Sequence, residues 1–378
     1  MNKWSLSGRV LMPEGIFREA TLFLEEGGVA GIQPGLDLKA DLVTPGYISP
    51  GWIDLQINGA YGFDFSRDGS TVAGAAERLP ETGVTSFLPT LITSPWEDYP
   101  KRFKEIKEAM GSRVGAQPLG IHLEGPYLNP LKKGAHNQDF LRVPVVEEML
   151  GWVDTSVRLV TLAPELPGAR EAARWLHAKG IVVSAGHSEA TYEEALEGFR
   201  AGIGWVTHLF NAMRSLGHRE PGLPGAALTS TIPCGLIADG IHTHPAIIRL
   251  AFQAKGTQGI TLVTDAMEAM GMPPGRYKLS THEVFVDDNS ARLADGTLAG
   301  SILTLDQAVR NTIRFTGCSV EEALMMASTS PARVLGLETK GLIAVGCDAD
   351  LVVLDESLQV THTFARGHPV YIRDRNQR

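Results

Sequence analysis

The stretch VRLVTLAPELPGAREAARWLHAKGIVVSAGHSEATYEEALEGFRAGIGWVTHLF, residues 157–210, repeats one pattern twice and begins it a third time. An apolar run (157–162) leads through a loop of Pro, Gly and Glu into a helix-like segment (168–178). A second run (181–185) ends in Gly186-His187-Ser188 ahead of another helix-like segment (191–200), and a third run (205–210) contains Thr207-His208. Continuous apolar runs read as strands covered on both faces, and strands alternating with helical segments imply βαβ units around a parallel sheet.

The same reading extends in both directions. Runs at 47–57, 84–92, 118–123, 235–238 and 260–263 bring the candidate strands to eight, with helix-like segments at 71–81, 97–110 and 245–255. Eight βα units predict an α/β chain built as a (β/α)8 TIM-type barrel over residues 47–339. The ends read differently, as short hairpin strands at 3–11, 20–25, 28–32, 350–354, 360–365 and 368–372. Residues 1–46 and 340–378 are therefore expected to meet in a small β-sandwich formed by the N- and C-terminal segments. A doubly wound sheet is the alternative, weakened because no GxGxxG opens a helix.

With 378 residues, 43% hydrophobic and 20% charged, the chain can bury a large core. Its net charge of -9, from 34 Lys+Arg against 43 Asp+Glu, gives no general attraction to nucleic acid or anionic membrane. An anionic ligand would need local basic groups. The first residues lack the succession of a signal peptide and no apolar run is long enough to span a bilayer, so a cytoplasmic protein without nucleic-acid or membrane partners is expected. Cys234, Cys318 and Cys347 are widely spaced and form no CxxC, which argues against a disulfide framework and a cysteine zinc site.

In a barrel enzyme the chemistry lies where strands end and loops begin. The third run ends in His122-Leu123-Glu124-Gly125-Pro126, the fifth in Gly186-His187-Ser188, the sixth in Thr207-His208-Leu209-Phe210-Asn211, the seventh in Ala238-Asp239-Gly240-Ile241-His242 and the eighth in Thr264-Asp265-Ala266. Glu124, His187 and His208 can offer one carboxylate oxygen and two imidazole nitrogens to a divalent cation and leave a position for water. A single such histidine is as well read as a core imidazole bonded to backbone; three ligand types at strand ends favour the metal. Asp265 can take a proton from water there and return it to a leaving nitrogen, with an Asx-turn cap as its structural alternative.

At these residues the chain resembles the amidohydrolase superfamily, and within it the deacetylases of phosphorylated N-acetyl amino sugars. Further matching stretches are Gly51-Trp52-Ile53-Asp54, Lys133-Gly134-Ala135-His136-Asn137, His208-Leu209-Phe210-Asn211-Ala212-Met213, Arg219-Glu220-Pro221-Gly222, Leu298-Ala299-Gly300-Ser301 and the closing Gly346-Cys347-Asp348-Ala349-Asp350. The resemblance implies hydrolysis of the N-acetyl group of N-acetylglucosamine 6-phosphate to glucosamine 6-phosphate and acetate. It implies Glu124, His187 and His208 as ligands of one metal, Asp265 as the acid and base, and His136 as the group polarising the acetyl carbonyl. It also implies that Ala135, Asn211, Ala212, Arg219 and His242 bind the phosphorylated sugar, completed by Asp239, Gly240 and Ile241 and by Leu298, Ala299 and Gly300. Bland roles exist for several of these: an exposed Arg219–Glu220 ion pair, a helix cap at Asn211, a loop-surface His136.

One departure from the wider superfamily bears on the metal count. Where many members carry His-x-His to hold a second metal, this chain has Gln56 and Asn58, amides that bind transition metals poorly. One divalent ion per chain is expected, zinc first, with iron, cobalt or manganese also suited to the donor set. A homodimer follows from the family alone. The rival readings are an amide hydrolase of another substrate on the same scaffold, and a catalytically silent sugar-phosphate sensor.

Overall fold

Eight parallel strands succeed one another around the centre of the computed structural model, which describes residues 3–112, 114–151 and 153–374. They are β1 (Trp52–Ile57), β2 (Val84–Ile92), β3 (Ile121–Glu124), β4 (Val157–Leu162), β5 (Val182–Ala185), β6 (Ile203–Val206), β7 (Cys234–Leu236) and β8 (Ile260–Leu262). Each pairs with its sequence neighbour, and the ring closes between β8 and β1 through the parallel bridge of Ile57 with Ala266 and a bond from Asp265 N to Gln56 O of 2.9 Å. Every residue of β1 and β2 is buried, as strands packed on both faces require. The fold is a (β/α)8 barrel.

The helix-like segments become Val72–Arg78, Tyr99–Met110, Ala169–Ala178, Tyr192–Arg200 and Pro245–Lys255. Their starts follow local chemistry. Thr191 and Glu194 form a reciprocal capping box, and Pro245 sits in the first turn behind His244, whose Nδ1 accepts from Ala246 N. Gly222–Thr229 also forms a helix, although Gly222, Pro224 and Gly225 argue against one locally. Its first six residues are all buried, so tertiary packing outweighs propensity there.

The termini build one seven-stranded sheet around a separate apolar core that includes Leu6, Val10, Leu22, Ile48, Leu351 and Phe364. This is the small β-sandwich. The first apolar run divides at Gly51: Leu42–Pro50 pairs with Trp4–Leu11 and Leu351–Leu354 in the terminal sheet, and the barrel begins at Trp52. Gly51 N donates to Asp350 O at 2.7 Å, and a Cβ at this residue would lie 2.2 Å from Thr85 Oγ1, so only glycine fits where the chain crosses from one sheet to the other.

Between β8 and the helix Leu305–Thr316 an insertion forms the three-stranded sheet Gly275–Leu279, His282–Val286 and Ala291–Arg292. Glu268, which is buried and paired with Arg67 at 2.6 Å, accepts from Lys278 N, and Asp64 accepts from Ser280 N. These bonds fasten the insertion beside the barrel rim. No helix among the described residues is long and apolar enough to cross a membrane.

Candidate metal and active site

Glu124 is the last residue of β3, while His187, His208 and Asp265 lie just past the ends of β5, β6 and β8. His187, His208 and Asp265 have φ of 49°, 27° and 48°. Left-handed backbone is uncommon for non-glycine residues, and here it turns the chain sharply enough to aim each side chain into the barrel mouth. All four are buried.

Their atoms converge. Glu124 Oε1 lies 3.1 Å from His187 Nε2 and 3.0 Å from His208 Nε2, and the two imidazole nitrogens are 3.1 Å apart. Two donors bound at about 2.0–2.1 Å to a tetrahedral zinc stand about 3.3 Å from each other, so the donor set fits a divalent ion. His187 Nδ1 faces Lys132 O at 2.8 Å and must donate to it, which turns the lone pair of Nε2 toward the cluster. His136 also offers a nitrogen within 4.8 Å of Glu124 and His187, but its Nε2 stands 3.9 Å from Glu124 Oε2, so His208 is the better third donor. Burial opposes charge on Glu124, yet the imidazoles of His187 and His208 set against it hold its carboxyl well below the usual range.

Asp265 is pushed the other way, up to about 6, by burial and by the negative charge of Glu124. His136, on the loop after β3, takes two contacts at Nδ1, from Thr93 N at 3.3 Å and Thr93 Oγ1 at 2.8 Å. The backbone N–H can only donate, so Nδ1 accepts and Nε2 carries the proton. Burial and the neighbouring His187 push the His136 pKa down to about 3. The ring is thus a neutral N–H donor. Gly134 permits this loop to come close, since a Cβ there would already stand 3.3 Å from His187 Cε1.

A cavity of about 340 Å³ opens onto this cluster. Of the residues expected around a sugar phosphate, Ala135, His136, Asn211, Ala212, His242, Leu298 and Gly300 line it. His242 Nδ1 is bonded to Asp239 Oδ2 at 2.6 Å. Asp239 Oδ1 takes the backbone N–H groups of Ile241 and His242, so Asp239, Gly240 and Ile241 shape the turn that presents His242 and do not line the cavity themselves. Ala299 likewise is packed in the core beneath the insertion. Arg219 is exposed and outside the cavity of its own chain, and it is Arg214 that reaches Glu220, at 3.4 Å. A larger cleft, about 760 Å³ between Glu25, Met110 and Arg366, lies away from every one of these groups.

Other lining residues escaped the sequence reading, among them Ile92, Lys132, Leu279 and Thr297. Lys132 lay in view as one of two adjacent lysines in an acidic chain; Leu279 and Thr297 carry no sequence signal, because the insertion brings them from afar. Gln56 and Asn58 were legible only as missing ligands. Both belong to the site: Gln56 Nε2 donates to Glu124 Oε1 at 2.9 Å, and Asn58 Nδ2 to Asp265 Oδ1 at 2.7 Å.

Fold and donor set together define the class, a (β/α)8-barrel enzyme whose rim can hold a divalent cation beside a carboxylate of raised pKa. Comparison with known proteins agrees. The amidohydrolase family model matches residues 47–370. The N-acetylglucosamine-6-phosphate deacetylases of Bos taurus and Homo sapiens are 45% and 44% identical to this chain, over 97% and 98% of it and 91% of each relative. The crystal structure of that deacetylase from Thermotoga maritima superposes with a TM-score of 0.91 at 35% identity, covering 97% of this chain and 99% of the other. A mutant Mycobacterium smegmatis deacetylase in complex with N-acetyl-D-glucosamine-6-phosphate gives 0.92 at 34% identity, covering 98% and 100%. The chain belongs to the amidohydrolase family and, within it, to the N-acetylglucosamine-6-phosphate deacetylases.

Proposed function

We infer that the protein hydrolyses the N-acetyl group of N-acetylglucosamine 6-phosphate to glucosamine 6-phosphate and acetate. The observation that carries this reading is the convergence, in one cavity, of the Glu124, His187 and His208 donors, the Asp265 carboxylate and the His136 N–H.

Glu124, His187 and His208 would hold one divalent ion, with zinc as our choice, and such an ion supplies a Lewis acid that lowers the pKa of water beside it. Asp265 takes a proton from the attacking water while that oxygen bonds to the acetyl carbon. The carbonyl π pair moves onto oxygen, where His136 Nε2–H donates to the growing charge. Collapse restores the carbonyl and breaks the C–N bond, and Asp265 passes its proton to the departing nitrogen. Raising its pKa toward neutrality suits a carboxyl that must both take and give a proton at ordinary pH.

For the phosphate we assign His242, whose Nδ1 is held by Asp239, leaving Nε2 for a ligand oxygen. Asn211, Ala135, Ala212, Leu298 and Gly300 complete the sugar pocket. Arg219 stands outside its own cavity, and we assign it to the phosphate subsite of a second copy in a homodimer. A cytoplasmic setting belongs to the same reading, because a phosphorylated sugar does not cross a bilayer unaided. The test is acetate release from the 6-phosphate by protein whose metal content is measured on the same sample. Metal-loaded protein that binds the sugar phosphate and releases no acetate would defeat the assignment.

A further inference from the structure

Asp265 has two carboxylate oxygens, and they stand in different surroundings. Oδ1 receives Asn58 Nδ2 at 2.7 Å and Gln56 Nε2 at 3.2 Å. Oδ2 accepts from no group among the described residues, and Asp265 lines the cavity. Gln56 Nε2 also donates to Glu124 Oε1 at 2.9 Å, so one amide links the proposed proton carrier to the proposed metal ligand. The amides are held in turn by backbone: Asp265 N donates to Gln56 O at 2.9 Å and Asn58 N to Ala266 O at 2.8 Å, where the barrel closes. Their own carbonyl oxygens, Gln56 Oε1 and Asn58 Oδ1, are buried with no partner among the described residues. An unbonded buried carbonyl costs free energy, so the pair is arranged for what its N–H groups do and not for its own satisfaction.

We propose that Gln56 and Asn58 are positioning residues: two amides occupy the place of a second cation, fix Oδ1 of Asp265 with neutral N–H donors, and leave Oδ2 as the atom that exchanges protons with water and the leaving amine. The idea rests on the deacetylase reading given above. Neutral donors suit the task, because a second cation against Oδ1 would draw charge from the carboxylate and make it a poorer proton acceptor. Gln56 extends the same restraint to Glu124, in the way that hydrogen bonds behind a ligand fix its orientation.

The test uses the metal-loaded protein and the variants Asn58→Leu, Asn58→Ala and Gln56→Ala, reading kcat and KM on N-acetylglucosamine 6-phosphate, metal per chain and Tm. Asn58→Leu keeps nearly the same shape and removes the donor. Losing a partner behind a metal site or its ligands typically costs about 10- to 100-fold. Both Asn58 variants should lose kcat on that scale, with KM within about twofold and metal content unchanged. Gln56→Ala should in addition weaken metal retention about 10-fold or more in a chelator competition, a readout that needs no turnover. A folded, metal-replete Asn58→Leu with kcat near that of the unaltered protein overturns the proposal. So does a fall in kcat matched by a rise in KM and a collapse of Tm in both Asn58 variants, which would make the residue part of the fold alone. If the unaltered protein releases no acetate, it is the deacetylase reading that fails; the chelator competition still judges Gln56.

Discussion

His187 Nε2 and His208 Nε2 stand 3.1 Å apart, with Glu124 Oε1 3.1 and 3.0 Å from them. Since His187 Nδ1–H is committed to Lys132 O, the lone pair of His187 Nε2 faces the Glu124 carboxylate, a repulsive arrangement unless something positive shares the space. The first prediction is therefore one divalent ion per chain after dialysis, because Gln56 and Asn58 offer no imidazole to a second. Elemental analysis giving two equivalents would refute it. His208→Asn and Glu124→Ala should lose metal and acetate release together, and removing the ion with a chelator should lower Tm, as loss of any ligand of the folded state does.

Asp265→Asn should keep its metal and lose at least about 100-fold in kcat, since an amide cannot accept the proton and general acid–base groups contribute about 10²- to 10⁴-fold. Metal analysis alongside steady-state kinetics checks both halves. Near-normal turnover would remove Asp265 from the mechanism.

The phosphate assignments separate cleanly by substrate. Arg219→Ala and His242→Ala should each cut kcat/KM on the 6-phosphate about 10- to 100-fold, the worth of a charge-assisted hydrogen bond, and change activity on plain N-acetylglucosamine far less. Equal losses on both substrates would mean these residues only shape the pocket. Because Arg219 lies outside its own cavity, mixing the Arg219→Ala protein with one inactivated at Asp265 should restore part of the 6-phosphate activity through mixed dimers. Sedimentation showing a monomer at assay concentration would end that reading.

A fourth prediction concerns stability and pH. Asp54 is fully buried in β1, with Oδ2 2.6 Å from Thr264 Oγ1 and the backbone N–H groups of Gln56 and Thr264 on Oδ1. Burial raises its pKa to about 7 despite those bonds, while its ordinary value is 3.8. Between these values the folded chain binds a proton that the unfolded chain has released, so this contribution is complete below about pH 4 and is lost as pH rises through about 7. Asp54→Asn copies the protonated form and should show a flatter fall in urea-unfolding free energy between pH 5 and pH 8 than the unaltered protein. Parallel curves would show that Asp54 does not titrate in this range.

Much of this architecture can be read from residues 157–210 and their neighbours. A barrel strand is a short apolar run with the chemistry at its end, and Glu124, His187, His208 and Asp265 each close such a run, so periodicity and position named them together. Local sequence also carried the helix starts, as at Thr191 and His244, because capping is decided within a few residues.

What local sequence could not carry was distance across the fold. His136 is one loop histidine until Thr93, 43 residues away, fixes its tautomer. Gln56 and Asn58 look like lost ligands until barrel closure sets them against Asp265, more than two hundred residues on. Arg219, read beside Glu220 or in the phosphate site, joins neither in its own chain, since Arg214 holds Glu220 and the loop faces outward. Composition and spacing act over a few residues and so determined which side chains exist and on which element ends they stand. Only the closed ring of strands decided which of their atoms meet, because hydrogen-bond and ligand distances are set by packing between segments that the sequence keeps far apart.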